Sequence, residues 1–544
     1  MKTLFINRKW VAVLLVFFTA ACSSDFLDIN DNPNNPTEAS ITLLLPGAQV
    51  ATAFSTSRTA VENAGIFVQH FYNLSESTYG IAGNLTDNDF NGIYDTALKD
   101  LDLIIKDAET LGLAGHAGIA KVLTAYLYSV LVDLWGEVPF TEALQGETNF
   151  NPKFDEGSVI YDGILDLLDE AKVDFDASIA LGSETISTDL IYGGDLENWK
   201  RAANTIKLKV LLNLRLVDPA RATTEIQSLI DEDFFIEGNS QDFQFQYGSS
   251  VTPLNQHPIY QQDYVAGNKT FYMNNYFMYN MVDRGDPRIN YYIYRQGTFQ
   301  EVADDFQILP CNSRSDCDFW VLMFGAGPAG DPSIWPPFDG YIGRDHGDPS
   351  GIPGDNGIRA TWGVYPIGGS YDDNARNQRI LESSTGEGIV PWVTNSMRAF
   401  MLAEATLILG TTGDPRVLMT EGIGASMDKV AAFGSSIDPN APATIDDANY
   451  VADRQSDYDA ALLLGTQQTL DVIIKEKYYS QFGNGLESYN DFRRTGFPSD
   501  LPASLAPAGP FPLRFPLGPT ELTSNANAPD PAPLVTKPVF WDIN

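Results

Sequence analysis

The chain has 544 residues, with 34 basic and 71 acidic side chains and a formal net charge of −37. Nucleic acids and anionic lipid head groups require a basic protein surface, so this charge argues against both as main partners and is compatible with a neutral or cationic ligand. The length is sufficient for a large hydrophobic core, arranged in one or two lobes.

The N-terminal segment has the pattern of a secretory leader. Three basic residues lie within the first nine positions, and the apolar run Trp10–Phe18 that follows is too short to span a bilayer, which needs roughly 20 apolar residues. Small residues then lead directly to Cys22. We therefore predict a signal peptide over residues 1–21, and we find no later segment that is apolar for long enough to cross a membrane.

Cys22 is placed as the acceptor cysteine of a bacterial lipoprotein. We predict that its thiol carries a diacylglycerol and that the new N-terminus is fatty-acylated, for example by palmitate, so that the anchor is lipid. The polar, Asn- and Pro-rich residues 22–36 would form a tether to the folded body. The alternative is an ordinary signal peptide followed by an unmodified cysteine.

The two remaining cysteines are Cys311 and Cys317, with five residues between them. In an oxidising compartment such a pair forms a disulfide that closes a small loop, and this is our prediction. Two free thiols are the alternative. A zinc site is disfavoured because no histidine lies nearby to complete the ligand set.

Residues 37–231 are predicted to be helical. Apolar residues recur with helical spacing from Tyr94 to Leu111, and the segment Ile119–Trp135 is apolar on almost every side, which predicts a helix buried all round. Asp195 is placed to cap the helix that contains Trp199. Helix pairs with short connections predict helical hairpins stacked as a solenoid, and hence a mainly α-helical fold, although the characteristic tetratricopeptide residues do not recur at a fixed period.

The amino-acid composition changes after this helical part. Gly, Pro, Asp and aromatic residues dominate residues 232–391, which predicts an irregular, loop-rich second part that faces a ligand. Residues 392–544 are predicted to complete the same domain with helices at Val393–Leu409 and Thr466–Ser480. From Pro498 the chain is rich in Pro and Ala, and we predict a tail that runs over the surface.

One segment resembles the opening of a calcium-binding loop. Asp87, Asp89, Asn91 and Gly92 match its first positions, but the twelfth position, where a glutamate is required, is Leu98. A polar turn before a helix is the simpler interpretation. We therefore predict no metal ion and no cofactor other than the covalent lipid, and structural calcium remains the alternative.

The sequence contains no recognisable catalytic motif. Its four histidines are not paired at metal-ligand spacing, and there is neither an H-E-x-x-H segment nor a G-x-S-x-G nucleophile elbow. With 71 acidic residues, chance pairs of carboxylates neither support nor exclude a hydrolase. We predict a binding protein and not an enzyme.

Aromatic residues make up 12% of the chain, and many lie in the loop-rich part. Flat rings on loops suit the apolar faces of sugars or of peptide side chains. Packing in a core is the alternative for any single ring. The predicted ligand contacts are Tyr79, Trp320, Trp335, Tyr341, Trp362 and Tyr365.

Several segments together resemble the SusD/RagB family of nutrient-binding outer-membrane lipoproteins. The most recognisable reads DLWGEVP and closes an apolar helix, and another combines YGGD with W-x-x-x-A-N. The resemblance follows chain order over nearly the whole length. The matching segments are 25–40, 127–144, 151–171, 192–204, 286–288, 403–405, 475–478 and 491–498.

This resemblance implies a helical superhelix built on tetratricopeptide-like pairs. It also implies a protein on the cell exterior that binds glycans or peptides without catalysis and delivers them to a partner, a SusC-like TonB-dependent barrel transporter. The family's binding residues vary with the ligand, so none is transferred here. A surface hydrolase of the same nutrients and a structural or adhesion lipoprotein are the alternatives.

Overall fold

The structure is a computed structural model. It describes residues 40–73, 79–265, 271–295, 341, 343–347, 360–373, 384–504 and 509–544, without the side chains of residues 59 and 60. Several predictions concern residues outside these ranges and therefore stay predictions. They are the signal peptide, the tether, the lipid on Cys22, the disulfide between Cys311 and Cys317, and ligand contact by Trp320 and Trp335.

Helices dominate the described residues. Those before residue 240 are Ile41–Thr56 (α1), Thr59–Phe67 (α2), Gly83–Gly92 (α3), Lys99–Leu111 (α4), Ala114–Trp135 (α5), Gly157–Leu181 (α6), Leu196–Leu214 (α7) and Pro219–Glu232 (α8). Those after it are Pro258–Tyr260 (α9), Asn275–Asp283 (α10), Ile289–Tyr292 (α11), Asn395–Leu409 (α12), Pro415–Ile437 (α13), Ala448–Leu462 (α14), Thr466–Ser480 (α15), Gly485–Thr495 (α16) and Pro519–Ser524 (α17).

Consecutive helices pack against each other as hairpins. The series α4, α5, α6, α7 and α8 is joined by neighbour-to-neighbour contacts, and α7 then contacts α12. In the C-terminal part α12 packs on α13 and α15, and α14 packs on α15. The prediction of a mainly α-helical fold built from helix pairs is therefore confirmed.

Helix α5 forms the centre of the fold. All residues from Gly115 to Trp135 are buried, as predicted from the apolar character of this segment on every side. It is also the one helix of the described ranges that is long and apolar enough to cross a bilayer, so our statement that no such segment follows the leader was wrong. Its complete burial makes it a core helix here. Gly136 ends it with φ +83°, a conformation that favours glycine.

The strands are short and form four antiparallel pairs. They are Phe71–Asn73 (β1) with Phe271–Met273 (β5), Val138–Pro139 (β2) with Phe154–Asp155 (β3), Phe243–Gln246 (β4) with Ile389–Val393 (β8), and Ile293–Tyr294 (β6) with Thr361–Trp362 (β7). The pairs β1–β5 and β4–β8 tie the irregular middle of the chain to the helices, which fixes the walls described below.

Local signals in the sequence give two different outcomes. Asp195 caps α7 as predicted, because its carboxylate accepts the backbone N–H groups of Glu197 and Asn198 at 3.1 Å. The polar turn expected at Asp87–Gly92 is instead the helix α3, and Asp87 accepts a 2.5 Å hydrogen bond from the Thr520 hydroxyl. These residues therefore have a helical conformation and not that of a calcium-binding loop.

The C-terminal segment is anchored in the fold on both sides of a stretch that lies at the surface. Residues 519–538 are exposed or half-buried, apart from Asn525. Trp541 is fully buried, and its indole N–H donates to Asp133 at 3.0 Å. The backbone N–H of Phe515 donates to the carbonyl of Leu134 at 2.6 Å. The predicted surface tail is therefore confined to part of this segment, because aromatic residues on either side of it anchor the Pro-rich chain along the end of α5.

A buried ionic network joins α5, α7 and α12 to the C-terminal helices. Its carboxylates are Asp133, Glu404, Glu487 and Asp491, and its cations are Lys209, Arg215, Lys477 and Arg494. Lys209 lies 3.0 Å from Asp133 and 3.2 Å from Glu487. Burial lowers the pKa of Lys209, but these two carboxylates outweigh that effect and raise it. The network is electrically balanced and holds the two ends of the fold together.

Candidate ligand-binding site

Two of the predicted ligand contacts lie in the core. Trp362 and Tyr365 are each 2% exposed. The ring of Trp362 packs 5.3 Å from that of Phe71 and 5.2 Å from that of Phe482, and Tyr365 packs 5.3 Å from Tyr292. These rings present no open face, so packing accounts for them and the structure gives no support to ligand contact at either residue.

Tyr341 is held in a polar cluster instead of facing a ligand. It is 3% exposed, and its hydroxyl donates to Asp372 at 2.5 Å. The Arg295 guanidinium lies 4.8 Å from the centre of its ring and forms an ion pair with Asp372 at 2.6 Å. The ring face is therefore occupied by a cation of the protein itself.

Tyr79 is the one described candidate whose side chain is only partly buried. Its ring lies 4.7 Å from His346 at an interplanar angle of 31° and 5.3 Å from Phe511. Burial raises the pKa of Tyr79 to about 12 and lowers that of His346 to about 4, so both side chains are neutral near pH 7. This aromatic cluster offers a neutral stacking surface at Tyr79.

A second candidate is a concave cleft of about 660 Å³, which we call the α1 cleft. Its volume lies in the range of roughly 300–1,000 Å³ that is typical of small-molecule sites. Helix α1 forms one wall, and the chain that continues from β4 forms the other. The lining residues are Val50, Phe54, Arg58, Leu190, Phe245, Gln246, Tyr247, Gly248, Leu254, Asn255, Gln256, Pro258, Gln261 and Gln262.

Hydrogen bonds donated by side-chain amides hold the β4 side of the α1 cleft in place. The Gln246 amide donates to the Glu387 carbonyl at 2.8 Å, and the Gln256 amide donates to the Thr385 carbonyl at 3.0 Å. Gln261 donates in turn to the side-chain oxygen of Gln256. These contacts orient a row of neutral amide groups before any ligand arrives.

Buried His257 fixes the start of α9 at the same wall. Its Nδ1 accepts the backbone N–H of Ile259 at 3.2 Å, which requires a neutral ring. Burial lowers the pKa of His257 to about 3. The wall therefore depends on a histidine that stays uncharged.

The other wall carries an exposed ring and a cation. Phe54 is 49% exposed, and the Arg58 guanidinium lies 4.6 Å from the centre of its ring, a cation–π contact. Arg58 is exposed and forms no ion pair with any residue that the structure describes. The cleft thus combines an apolar ring, neutral amides and one available positive charge.

The α1 cleft was not predicted from the sequence. Its residues come from three separate segments of the chain, around positions 50–58, 190 and 245–262. The sequence signal that could have drawn attention to it is the cluster of amides in the stretch Asn255–Gln262, which lies in the part predicted to face a ligand.

Within the described ranges no group of three or more His, Cys, Asp or Glu side chains is arranged to hold a metal ion. Among the described residues that line the α1 cleft there is no histidine, cysteine or carboxylate. Its arrangement is therefore suited to non-covalent binding by stacking, hydrogen bonds and one charge.

Solved structures with the same fold are available for comparison. A chitin-binding protein has a TM-score of 0.69 at 19% identity, with 93% of this chain and 100% of that chain covered. A chitin-binding SusD homologue from Flavobacterium johnsoniae has a TM-score of 0.67 at 18% identity, with coverage of 92% and 99%. A SusD homologue from Bacteroides fragilis NCTC 9343 has a TM-score of 0.66 at 19% identity, with coverage of 93% and 99%.

Family models match the sequence in two blocks. Residues 33–309 match the model described as starch-binding and associating with the outer membrane, and residues 370–511 match that of the SusD and RagB outer-membrane lipoproteins. A comparison with curated protein sequences gives no match. The first block alone covers more than half of the chain, and the structural likeness extends over nearly all of it. The chain therefore belongs to the SusD/RagB family of outer-membrane proteins.

Proposed function

We propose that this protein is a lipid-anchored receptor on the outer face of the outer membrane. It binds glycans and passes them, chemically unchanged, to a SusC-like TonB-dependent barrel transporter. The observation that carries this proposal is the match of residues 33–309 to a family described as starch-binding and associating with the outer membrane. Peptides are the second ligand class that the family resemblance leaves open.

The N-terminal pattern supports the anchor. A basic start, a short apolar run and small residues before Cys22 are the signals that direct lipid attachment after export. The mature chain would then carry a net charge of −40, since the leader removes three basic residues and no acids. Such a charge keeps a soluble body away from anionic head groups, so that the lipid is its attachment.

The arrangement of side chains supports binding without catalysis. The described lining of the α1 cleft has rings and amides but no carboxylate, histidine or cysteine. The Tyr79 cluster is neutral near pH 7, and we propose Tyr79 as a stacking residue for a sugar ring. Both surfaces provide contacts that hold a ligand and release it unchanged.

Replacement of the anchor residue tests the localisation. In cells that carry Cys22→Ser we expect the protein to lose fatty-acid labelling and to leave the membrane fraction, whereas wild type is labelled and pelleted. Substitution of the neighbouring Ser23→Ala is the control. An unmodified wild-type thiol at Cys22, found by mass spectrometry, would refute the anchor.

Ligand binding and turnover are tested together. The purified protein is titrated calorimetrically with oligosaccharides and peptides, and each mixture is then analysed by chromatography. We expect saturable binding of at least one glycan and an unchanged ligand after prolonged incubation. Hydrolysis that one carboxylate substitution abolishes would identify a surface hydrolase instead.

The partner is tested by affinity purification from outer membranes. We expect a large barrel transporter to be recovered with wild-type protein in mild detergent. Recovery of the protein alone, from cells that produce it from its own chromosomal locus, would count against delivery to a transporter and favour a structural or adhesion role.

A further inference from the structure

The α1 cleft has a charge balance that differs from the rest of the chain. None of its 14 described lining residues is acidic and one is a cation, whereas the whole chain has 71 acidic residues in 544. Asp189, next to Leu190 in the sequence, is buried and accepts hydrogen bonds from Gln49 at 2.6 Å and Trp199 at 2.8 Å. Its carboxylate is therefore directed into the protein.

Arg58 lacks the carboxylate partner that most described surface cations have. Lys106 pairs with Asp102 at 2.6 Å, and Arg416 pairs with Asp459 at 2.8 Å, whereas Arg58 has no carboxylate partner among the described residues. A guanidinium presents its N–H groups as a planar fork that matches a carboxylate with two parallel hydrogen bonds. An exposed guanidinium that has no carboxylate partner within the described part of the chain, beside a cleft, is thus an available site for a carboxylate of a ligand.

The apolar side chains of the cleft form a surface for a ring. Phe54, Val50, Leu190 and Leu254 are between 47% and 61% exposed, although they are large hydrophobic residues. Because they line one cleft, they form an apolar surface of the kind on which an apolar face of a ligand packs. Sugar rings have such faces, and they stack on aromatic side chains.

The amides supply contacts for hydroxyl groups. Gln261 donates its N–H to Gln256, and its side-chain oxygen has no partner within the described ranges. Asn255, Gln246 and Gln262 line the same wall. Neutral donors and acceptors of this kind suit an uncharged polyhydroxylated ring, so that the only charge the cleft recognises is the one opposite Arg58.

We propose that the α1 cleft binds a short acidic oligosaccharide, with a uronate carboxylate on the Arg58 guanidinium and a sugar ring against Phe54. This inference rests on the proposed glycan-binding function and narrows it to a ligand class and a site. The proposed ligand is acidic, whereas the net charge of the chain by itself is compatible with a neutral or cationic ligand. Exposed charges more than about 8 Å away are largely screened at physiological salt, so the charge of the cleft itself decides which ligand it attracts.

The test is calorimetric titration of the full mature protein with trigalacturonate and triguluronate, and with maltotriose and chitotriose as neutral probes. We expect at least one uronate to bind more tightly than both neutral probes. Arg58→Gln and Phe54→Ala should each weaken that binding roughly tenfold, the usual effect of losing one charge-assisted hydrogen bond or one stacking contact. Higher salt should weaken the binding by wild type and have little effect on the remaining binding by Arg58→Gln.

Matched control variants lie outside the cleft. Phe150→Ala removes another exposed phenylalanine, 71% exposed, and Arg416→Gln removes another exposed arginine, and neither should change the affinity. Circular dichroism of each variant checks folding, and Arg58→Lys retains the charge but loses the fork, so an intermediate loss is expected.

Three results would overturn the proposal. They are the absence of uronate binding, uronate binding that neither Arg58→Gln nor Phe54→Ala weakens, and equal affinity for uronate and neutral probes. If a neutral glycan binds and the cleft variants do not affect it, the proposed function stands and the assignment of an acidic ligand to the α1 cleft does not. If no glycan binds at all, both are contradicted.

Discussion

The ionic network around Asp133 and the α1 cleft differ in whether their charged side chains have partners of opposite charge. In the network four carboxylates face four cations in the interior, and Asp133 itself is fully buried. In the cleft a single exposed cation, Arg58, has no carboxylate partner among the described residues. The comparison separates charges that maintain the fold from a charge that remains available to a ligand.

The two regions also explain why the recognisable residues of the sequence are not the ligand-binding ones. Asp133 belongs to the DLWGEVP segment, and Asp491 and Arg494 belong to the C-terminal matching segment. A buried charge without its partner is strongly destabilising, so these positions are tied to the fold. Exposed Phe54 and Arg58 have no such constraint, which leaves the cleft free to differ with the ligand.

The largest expected effect comes from removing the central carboxylate of the network. Asp133→Ala leaves Lys209, Tyr161 and Trp541 without the acceptor they share. We expect the free energy of unfolding to fall by about 3–5 kcal/mol, the usual cost of breaking a buried ion pair. Urea denaturation measures the change.

The control for this experiment is Asp102→Ala, which removes an exposed partner of Lys106 one helical turn away. Such pairs contribute about 0.2–0.5 kcal/mol. Similar losses of unfolding free energy in both variants would show that the buried network stabilises the fold no more than a surface pair does. The distinction between charges that maintain the fold and a charge available to a ligand would then be wrong.

Trp362→Ala is expected to have a similar or slightly smaller effect on stability. The ring is enclosed by Phe71 and Phe482, so its truncation leaves a cavity that costs about 3–5 kcal/mol. Thermal unfolding with Phe150→Ala as the exposed aromatic control measures this. If Trp362→Ala abolished glycan binding at unchanged stability, the sequence-based prediction of ligand contact would be correct after all.

A moderate effect is expected from acidification, through the buried histidine of the cleft wall. The pKa of His257 is about 3 in the folded protein and 6.5 when exposed, so the unfolded chain binds the extra proton between these values. Stability therefore falls as the pH falls, and one such histidine contributes a loss of about 2 kcal/mol between pH 7 and pH 5.

His257→Asn tests this contribution. Asparagine retains an acceptor for the backbone N–H of Ile259 but does not titrate. We expect the difference in unfolding free energy between pH 7 and pH 5 to be smaller in this variant by about 2 kcal/mol, as measured by denaturation at both pH values. An unchanged pH dependence would mean that His257 is not the neutral, buried group described here.

The smallest expected effect on stability is that of the cleft variants. Phe54 is half-exposed, so Phe54→Ala and Arg58→Gln should each change the free energy of unfolding by less than about 0.5 kcal/mol while weakening ligand binding. Denaturation of both variants checks this. A loss comparable to that of Asp133→Ala would place Phe54 and Arg58 with the residues that maintain the fold.

Periodic and capping signals made much of the helical part predictable. The buried helix α5, the cap at Asp195 and the helix Thr466–Ser480 all follow from residues close in sequence. Helix α13 was missed because its glycines obscure the pattern. At Gly422 a side chain would collide with the ring of Phe400, so the glycine permits close packing of α12 on α13.

The candidate site could not be predicted in the same way. Loop aromatics were the available signal, but burial depends on contacts between distant segments, and Trp362 and Tyr365 turned out to be enclosed. The α1 cleft exists only because the β4–β8 pairing brings the chain after Phe243 beside α1. Neither the burial of these two rings nor the formation of the cleft can be predicted from residues that are close in the sequence.

The most direct test of this account is hydrogen–deuterium exchange of the full mature protein with and without a saturating uronate trisaccharide. We expect the ligand to slow exchange in residues 50–58 and 245–262, and to leave the segments around Asp133 and Asp491 unchanged because they are already closed. Protection confined to other segments, or none at saturation, would contradict the assignment of the α1 cleft as the site where the ligand binds.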